Sequence, residues 1–282
     1  MAAQRKSALL NVSPLNVSPL NVSLSNALLS GLLPLLVLFP LSAFNPAQAQ
    51  TPNSQAPRTT LVMGTATDYP PFQYRIGSEG EIVGFDIELA NYIAKKLGLT
   101  YQIQDIDFNQ LIPALAGRKL DFALAAITPT PERRQIVDFS LVYFQSRDTI
   151  ISRSDREIKQ FRDLAGRSVG VQLGTIQERQ IEELIQRMPT LKIVRFRRVG
   201  EMVQALRIGQ VDAAIVEAIV AETYTENRPE LKMYPITEKP ATEFAIAFPK
   251  GSVLVKDFNR ILQEMISSGE MELMIRRWFA PQ

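Results

Sequence analysis

The chain has 282 residues, 46% of them hydrophobic and 21% charged, with 18 Pro and 14 Gly, a composition that can bury the core of one or two globular domains. It holds no His and no Cys, which excludes imidazole catalysis, His or Cys metal sites, disulfides and a thioether lipid anchor. The 31 basic and 29 acidic residues leave +2, supplied by Arg5 and Lys6 because residues 1–49 contain no acid, and nothing in that balance favours nucleic acid as a partner.

Arg5 and Lys6 precede an apolar segment from Ala27 to Phe44, and Ala47-Gln48-Ala49 has the small-x-small pattern of a cleavage site. Residues 1–49 therefore read as an export signal peptide. The alternative is an uncleaved membrane tether, since Ala27 to Phe44 is just long enough to span a bilayer, although Pro34 and Pro40 interrupt it. A short repeat starting LNVS at Leu10, Leu15 and Leu20 creates Asn-x-Ser sequons ahead of the cleavage site and reads as low-complexity filler. Residues 50–58, rich in Pro, Ser, Asn and Gln, form a flexible leader.

Leu61 to Thr65 predicts a strand that runs into Asp68-Tyr69-Pro70-Pro71-Phe72, a rigid loop holding two aromatics. Tyr74, Ile82 and Val83 suggest a hairpin about the turn from Gly77 to Gly80. Ile87, Ala90, Ile93, Ala94 and Leu97 recur at helical spacing after Gly84, with Gly98 as the stop. A strand over Tyr101 to Ile106 and a short helix over Phe108 to Leu115, ended by Gly117, follow.

The stretch from Asp121 to Ser140 carries the first chemical signal. Its apolar run from Phe122 to Ile127 predicts a buried strand, which breaks at Thr128-Pro129-Thr130-Pro131. Thr130 is then an N-cap and Pro131 the first residue of a new helix, with Glu132 complementing its free N–H groups. Arg133 does not fit: a cation in the first turn opposes the macrodipole by about 0.3–1 kcal/mol, unless an anion is shared between the guanidinium and those N–H groups. Two readings stand, a carboxylate or phosphate receptor and a surface ion pair of Arg133 with Glu132 or Asp138.

From Phe161 the alternation restarts. Strands are expected at Ser168 to Gln172, Leu191 to Arg197 and Val211 to Val216, and helices at Ile176 to Met188, Gly200 to Ile208 and Ile219 to Asn227. Arg195, Arg197 and Arg198 alternating with Phe196 read as the polar face of an edge strand. Leu231 to Tyr234 is extended, Glu243 to Phe248 is a returning strand, and a long final helix starts at Val253. The fold class is thus α/β, two units with mostly parallel sheets flanked by helices, the second inserted in the first. The boundaries are 59–147 and 242–282 for the first lobe and 148–241 for the second, with crossings near Gln145 to Thr149 and Ala241 to Phe244. Ligands in such sheets sit beyond the carboxyl ends of strands, where Thr128, Gly174 and Glu217 fall.

Six motifs in order carry a resemblance over about residues 59–280: Asp68 to Phe72, Gly84 to Leu89, Asp107-Phe108 with Leu111 to Leu115, Ile127-Thr128 with Thr130, Glu132 and Arg133, Asp138 to Ser140, and Ala247 to Gly251. Together they resemble the family 3 periplasmic solute-binding proteins, which serve ABC importers of amino acids. The resemblance implies a type II-like, two-lobed periplasmic-binding-protein fold that closes on an α-amino acid and docks on an inner-membrane permease. It also implies a periplasmic monomer with no catalysis, cofactor or metal. By the same resemblance Arg133 grips the ligand carboxylate, helped by the Thr128 hydroxyl and backbone N–H groups around Thr128 and Thr175, with Ala126 in the same site. Glu217 takes the α-ammonium, Tyr69 and Phe108 sandwich the side chain, and Phe72 is left to the core. Ala66 stands where relatives often carry Asp, with Asp68 as its replacement, and Ile176 replaces a frequent glycine. Gln172 stands where some relatives have Lys, so a cationic or amide side chain is expected: arginine, lysine, histidine or glutamine. The alternative is an enzyme resembling cyclohexadienyl dehydratases, acting on prephenate or arogenate with Glu217 or Asp68 as its general acid.

Overall fold

Two five-stranded sheets organise the chain, described in a computed structural model over residues 60–77, 80–237 and 240–279. The expected signal peptide, its tether alternative and the leader lie outside the described residues. In the first sheet, Thr60–Thr65 (β1) pairs in parallel with Thr100–Asp105 (β5) and Phe122–Ala123 (β6). Thr242–Pro249 (β13) and Val137–Ser146 (β7) complete the order β5-β1-β6-β13-β7. The second sheet has the order β10-β9-β11-β8-β12, built from Lys192–Phe196 (β10), Ser168–Gln172 (β9), Ala213–Glu217 (β11), Asp148–Arg153 (β8) and Leu231–Pro235 (β12). A small third sheet joins Asp68–Tyr69 (β2), Gln73–Arg75 (β3) and Ile82–Val83 (β4), the expected hairpin.

The sheets share one departure from parallel order. β13 runs antiparallel to β6 and β7, and β8 runs antiparallel to β11 and β12. The cause is the path of the chain: β7 leads out of the first sheet and β13 leads back beside it, and β8 and β12 do the same in the second. Adjacent strands that join the same two places must run oppositely. Thr242 accordingly pairs with Ser146, and Pro235 with Thr149. The chain passes from one sheet to the other at Arg147 and back between Pro235 and Thr242. Ile236 N donates to Asp148 O at 2.9 Å and Ala218 N to Arg147 O at 2.7 Å, tying the crossings together.

Helices cover both faces of each sheet. Along β13, Phe244, Ile246 and Phe248 face one apolar cluster while Ala245 and Ala247 face another, all fully buried, which is why that strand reads as a continuous apolar run. Phe85–Leu97 (α1), Leu254–Ser268 (α7) and Glu270–Phe279 (α8) cover the first face, and Phe108–Ala116 (α2) the second. The final helix is two helices, because Gly269 adopts a left-handed conformation at φ 80° and ends α7. Around the second sheet, Ile176–Arg187 (α4) packs on one face, with Val199–Arg207 (α5) and Ala218–Thr225 (α6) on the other.

The run from Phe122 to Ile127 yields a strand of only two residues. Ala126 sits at φ 49° and its N–H donates to the Asp86 carboxylate at 3.1 Å, so the chain leaves the sheet and turns toward Pro131–Ile136 (α3). Phe72 is fully buried, edge-on to Phe85, Phe144 and Phe244. Its loop also seats α1: Phe85 N donates to Pro71 O at 3.0 Å and Asp86 N to Phe72 O at 2.8 Å. That approach requires Gly84, whose φ is 134° and where a Cβ would lie 2.1 Å from Phe72 O. Gly84→Ala should therefore destabilise the protein by roughly 2–4 kcal/mol. Urea unfolding measures it, and an unchanged midpoint would contradict the close approach.

Candidate ligand-binding site

A narrow cleft lies between the two sheets, lined on one side by Ala66, Asp68, Tyr69, Gln73, Phe108, Ala126, Thr128 and Arg133 and on the other by Gln172, Thr175, Gln177 and Glu217. All nine residues singled out in the sequence, Asp68, Tyr69, Phe108, Ala126, Thr128, Arg133, Gln172, Thr175 and Glu217, border this one cavity.

The cationic wall is built by α3. The Thr130 hydroxyl accepts from Arg133 N at 3.3 Å as N-cap, and Pro131 opens the helix, as the sequence suggested. The Arg133 guanidinium donates to Thr128 O and Gly174 O, each at 2.8 Å, and lies 5.6 Å from the centre of the Phe108 ring. The surface-pair reading fails, because Glu132 pairs with Arg179 at 2.9 Å and Asp138 with Lys250 at 2.8 Å. Among the described residues no carboxylate pairs with Arg133. Burial, with the nearby Arg179 charge, pushes it down to about 10, so it stays a cation at neutral pH. A half-buried charge without a carboxylate partner is suited to an anion.

The anionic wall is Glu217, the last residue of β11 and 4% exposed. Its Oε1 accepts from Gln177 Nε2 at 2.8 Å, while Oε2 is buried without a partner. Burial pushes this carboxyl up to about 7. Sequence reasoning missed Gln177. The available signal was its place in the first turn of α4, where the Thr175 hydroxyl caps the helix by accepting from Glu178 N at 3.2 Å.

Between these walls, Tyr69 is buried in β2 and Phe108 opens α2. Thr175 spends its hydroxyl on Gln172 O at 2.7 Å, and Gln172 Nε2 donates to Arg197 O at 3.2 Å. Asp68 is more committed than its sequence position suggested. Its Oδ2 accepts from Val199 N at the start of α5, its carbonyl accepts from the Tyr224 hydroxyl at 3.0 Å, and only Oδ1 is left, buried, with Arg198 Nη1 3.8 Å away. Burial outweighs the α5 N–H groups and Arg198, and raises this carboxyl to about 6. Gln73, also missed, is buried with its Oε1 unpartnered.

The basic cluster corrects the expectation of a plain edge-strand face. Arg195, on β10, does pair outward with Glu178 and Glu182. Arg198 instead reaches across to Asp105 at 3.1 Å and Asp107 at 3.2 Å, and Arg197 to Asp107 at 3.6 Å.

The family model of the bacterial extracellular solute-binding proteins, family 3, matches residues 61–281. The arginine-binding extracellular protein ArtP of Bacillus subtilis (strain 168) is 43% identical over 228 residues, covering 80% of this chain and 88% of ArtP. The solved structure of an ancestral arginine-binding protein bound to arginine superposes with a TM-score of 0.74 at 35% identity, covering 78% of this chain and 98% of that one. The arginine-, lysine-, histidine-binding protein ArtJ of Geobacillus stearothermophilus gives a TM-score of 0.73 at 30% identity, covering 79% of this chain and 96% of ArtJ.

The raised Glu217 carboxyl makes stability depend on pH. The folded chain holds this proton more tightly than the unfolded chain, so between the ordinary value of 4.5 and about 7 each rise in pH costs stability. Glu217→Gln removes that term. Ligand-free, the variant should gain on the wild type as pH rises from 5 to 8. Paired urea melts test this, and parallel pH profiles would contradict the burial of an ionisable Glu217.

Proposed function

The chain belongs to the bacterial extracellular solute-binding proteins of family 3, and from that premise we propose that it is the binding component of an amino-acid ABC importer with arginine as its preferred ligand. The observation that carries the ligand is a set of three buried acceptors with no hydrogen-bond donor among the described residues, Glu217 Oε2, Gln73 Oε1 and Asp68 Oδ1, the last having only its ion pair with Arg198 at 3.8 Å, on residues bordering a cavity where Arg133 has no carboxylate partner among those residues. Each unmet acceptor costs about 1–3 kcal/mol. Arginine answers all of them. Its carboxylate meets the remaining donors of Arg133, its ammonium meets Glu217, and its guanidinium, five donors and no acceptor, meets Asp68 and Gln73 between the faces of Tyr69 and Phe108. Glutamine offers these acceptors two amide donors against the five of arginine, and glutamate offers none. Names of relatives that bind arginine support the same reading.

We further propose lobes of 59–147 with 242–282 and of 148–241, which close by rotation about Arg147 and residues 236–241. Export by the amino-terminal signal would deliver the monomer to the periplasm, where it would present its ligand to an inner-membrane permease. In this reading the protein binds without transforming, so prephenate incubated with it should give no phenylpyruvate. Formation of phenylpyruvate would favour the dehydratase reading instead.

Two measurements test the ligand. In a thermal-shift screen arginine should raise the midpoint most, lysine, histidine and glutamine less, and glutamate and aspartate little. A larger shift with glutamate than with arginine would overturn the assignment. Arg133→Ala should cost roughly 3–5 kcal/mol of binding, about two to three and a half decades in affinity, with the fold kept. Arg133→Lys should recover only part, for want of the planar fork, and unchanged calorimetric affinity in Arg133→Ala would sink the site.

A further inference from the structure

One glutamine touches both buried carboxylates of the second sheet. Gln177 is 3% exposed, and its Nε2 donates to Glu217 Oε1 and to Asp148 Oδ1, each at 2.8 Å. A primary amide has two N–H donors, so this nitrogen is fully used and has none left for a ligand.

Asp148 gives the amide a fixed base. It is the first residue of β8, directly after the Arg147 crossing, and its carbonyl accepts from Ile236 N at the return crossing at 2.9 Å. Its second oxygen accepts from Gln180 Nε2 at 3.1 Å. Gln177 and Gln180 are three apart on α4 and so share a face, and together they clasp Asp148. Glu217 is reached from the same face. With Oε1 engaged by an amide anchored on Asp148, the Glu217 carboxylate cannot rotate freely, and Oε2 is the oxygen left without a partner.

We infer that Gln177 is a positioning residue for the ligand's α-ammonium: by tying Glu217 Oε1 to Asp148, it presents Glu217 Oε2 to the cavity. This rests on the amino-acid-binding reading above. The role concerns only the part common to all α-amino acids, which separates it from a side-chain contact.

The test is Gln177→Met, which keeps length and burial and removes both donors. Calorimetry should show Kd rising about ten- to hundredfold, as expected for a lost hydrogen bond to a charged group. The factor should be the same for arginine and for every other amino acid the wild type binds. The preference for arginine over 5-guanidinopentanoate, its analogue without the amino group, should shrink at least tenfold. Gln177→Asn, whose amide is one methylene too short to span both carboxylates, should show the same pattern at smaller size and serves where the methionine variant fails to fold. Unchanged affinity, a loss that differs between side chains, or an unchanged preference against 5-guanidinopentanoate would overturn the inference. A wild type that binds no amino acid would instead sink the functional reading itself.

Discussion

Two opposite charges, Arg133 and Glu217, face one cavity, and neither has an oppositely charged salt-bridge partner among the described residues. Arg133 and Glu217 stand on different sheets, one in the first turn of a helix and one at a strand end, and the fold exists to bring them to one place. Either alone would be a costly burial. In the proposed function they would together receive a molecule carrying one charge of each sign at short separation, as every α-amino acid does. The passages at Arg147 and between Pro235 and Thr242 join the two sheets among the described residues, and in the proposed lobes they would let the walls move relative to one another.

The contacts across the cleft fall into two kinds. Arg198 with Asp105 and Asp107, and Arg179 with Glu132, are ion pairs at partly exposed positions, each worth about 0–1 kcal/mol. The other contacts are backbone-directed: Arg133 to Gly174 O, and the Asp68 carboxylate to Val199 N. The first kind is weak enough to break when the cleft opens. The second kind involves site residues themselves, so what holds the halves together and what would hold a ligand are partly the same groups. A ligand that engages Arg133 and Asp68 therefore adds to contacts that closure has already aligned, and closure and binding reinforce one another.

Much of this was legible in the sequence, for identifiable reasons. Arg133 announced itself by breaking a local rule, since a first-turn cation needs an explanation that Glu132 and Asp138 do not supply. Alternation of strand and helix located nearly every element, and Phe72 was assigned to the core correctly. The misses share a cause: the deciding partner is distant in sequence. Asp68 read as a free pocket acid because Val199 lies 131 residues away. The strand from Phe122 stops early because Asp86, 40 residues back, takes the Ala126 N–H. The reversed strands β8 and β13 follow from the chain's double crossing, which no local pattern reports. Gln73 and Gln177 were invisible for a different reason, since a glutamine violates nothing where it stands and acquires a role only from the carboxylates or cavity it meets.

Three carboxyls, Asp68, Asp86 and Glu217, are raised by burial to between about 6 and 7. They differ in what relieves them. Asp86 is 0% exposed and spends an oxygen on holding Ala126 in its left-handed turn, a structural use that ligand does not change. Asp68 is divided between the α5 N-terminus and the cavity, so half its cost is met by the fold. Glu217 has one donor, the Gln177 amide, and no cation, so most of its cost is left standing in the empty protein. That ordering ranks the groups by how strongly a bound cation would stabilise them. In the proposed assignment the less relieved carboxylate, Glu217, would meet the ammonium common to all amino acids, and Asp68, already partly satisfied, would meet the side chain that distinguishes them. Affinity and selectivity then draw on different residues, and a substitution at the side-chain end can change which amino acid is preferred without dismantling the grip on its backbone.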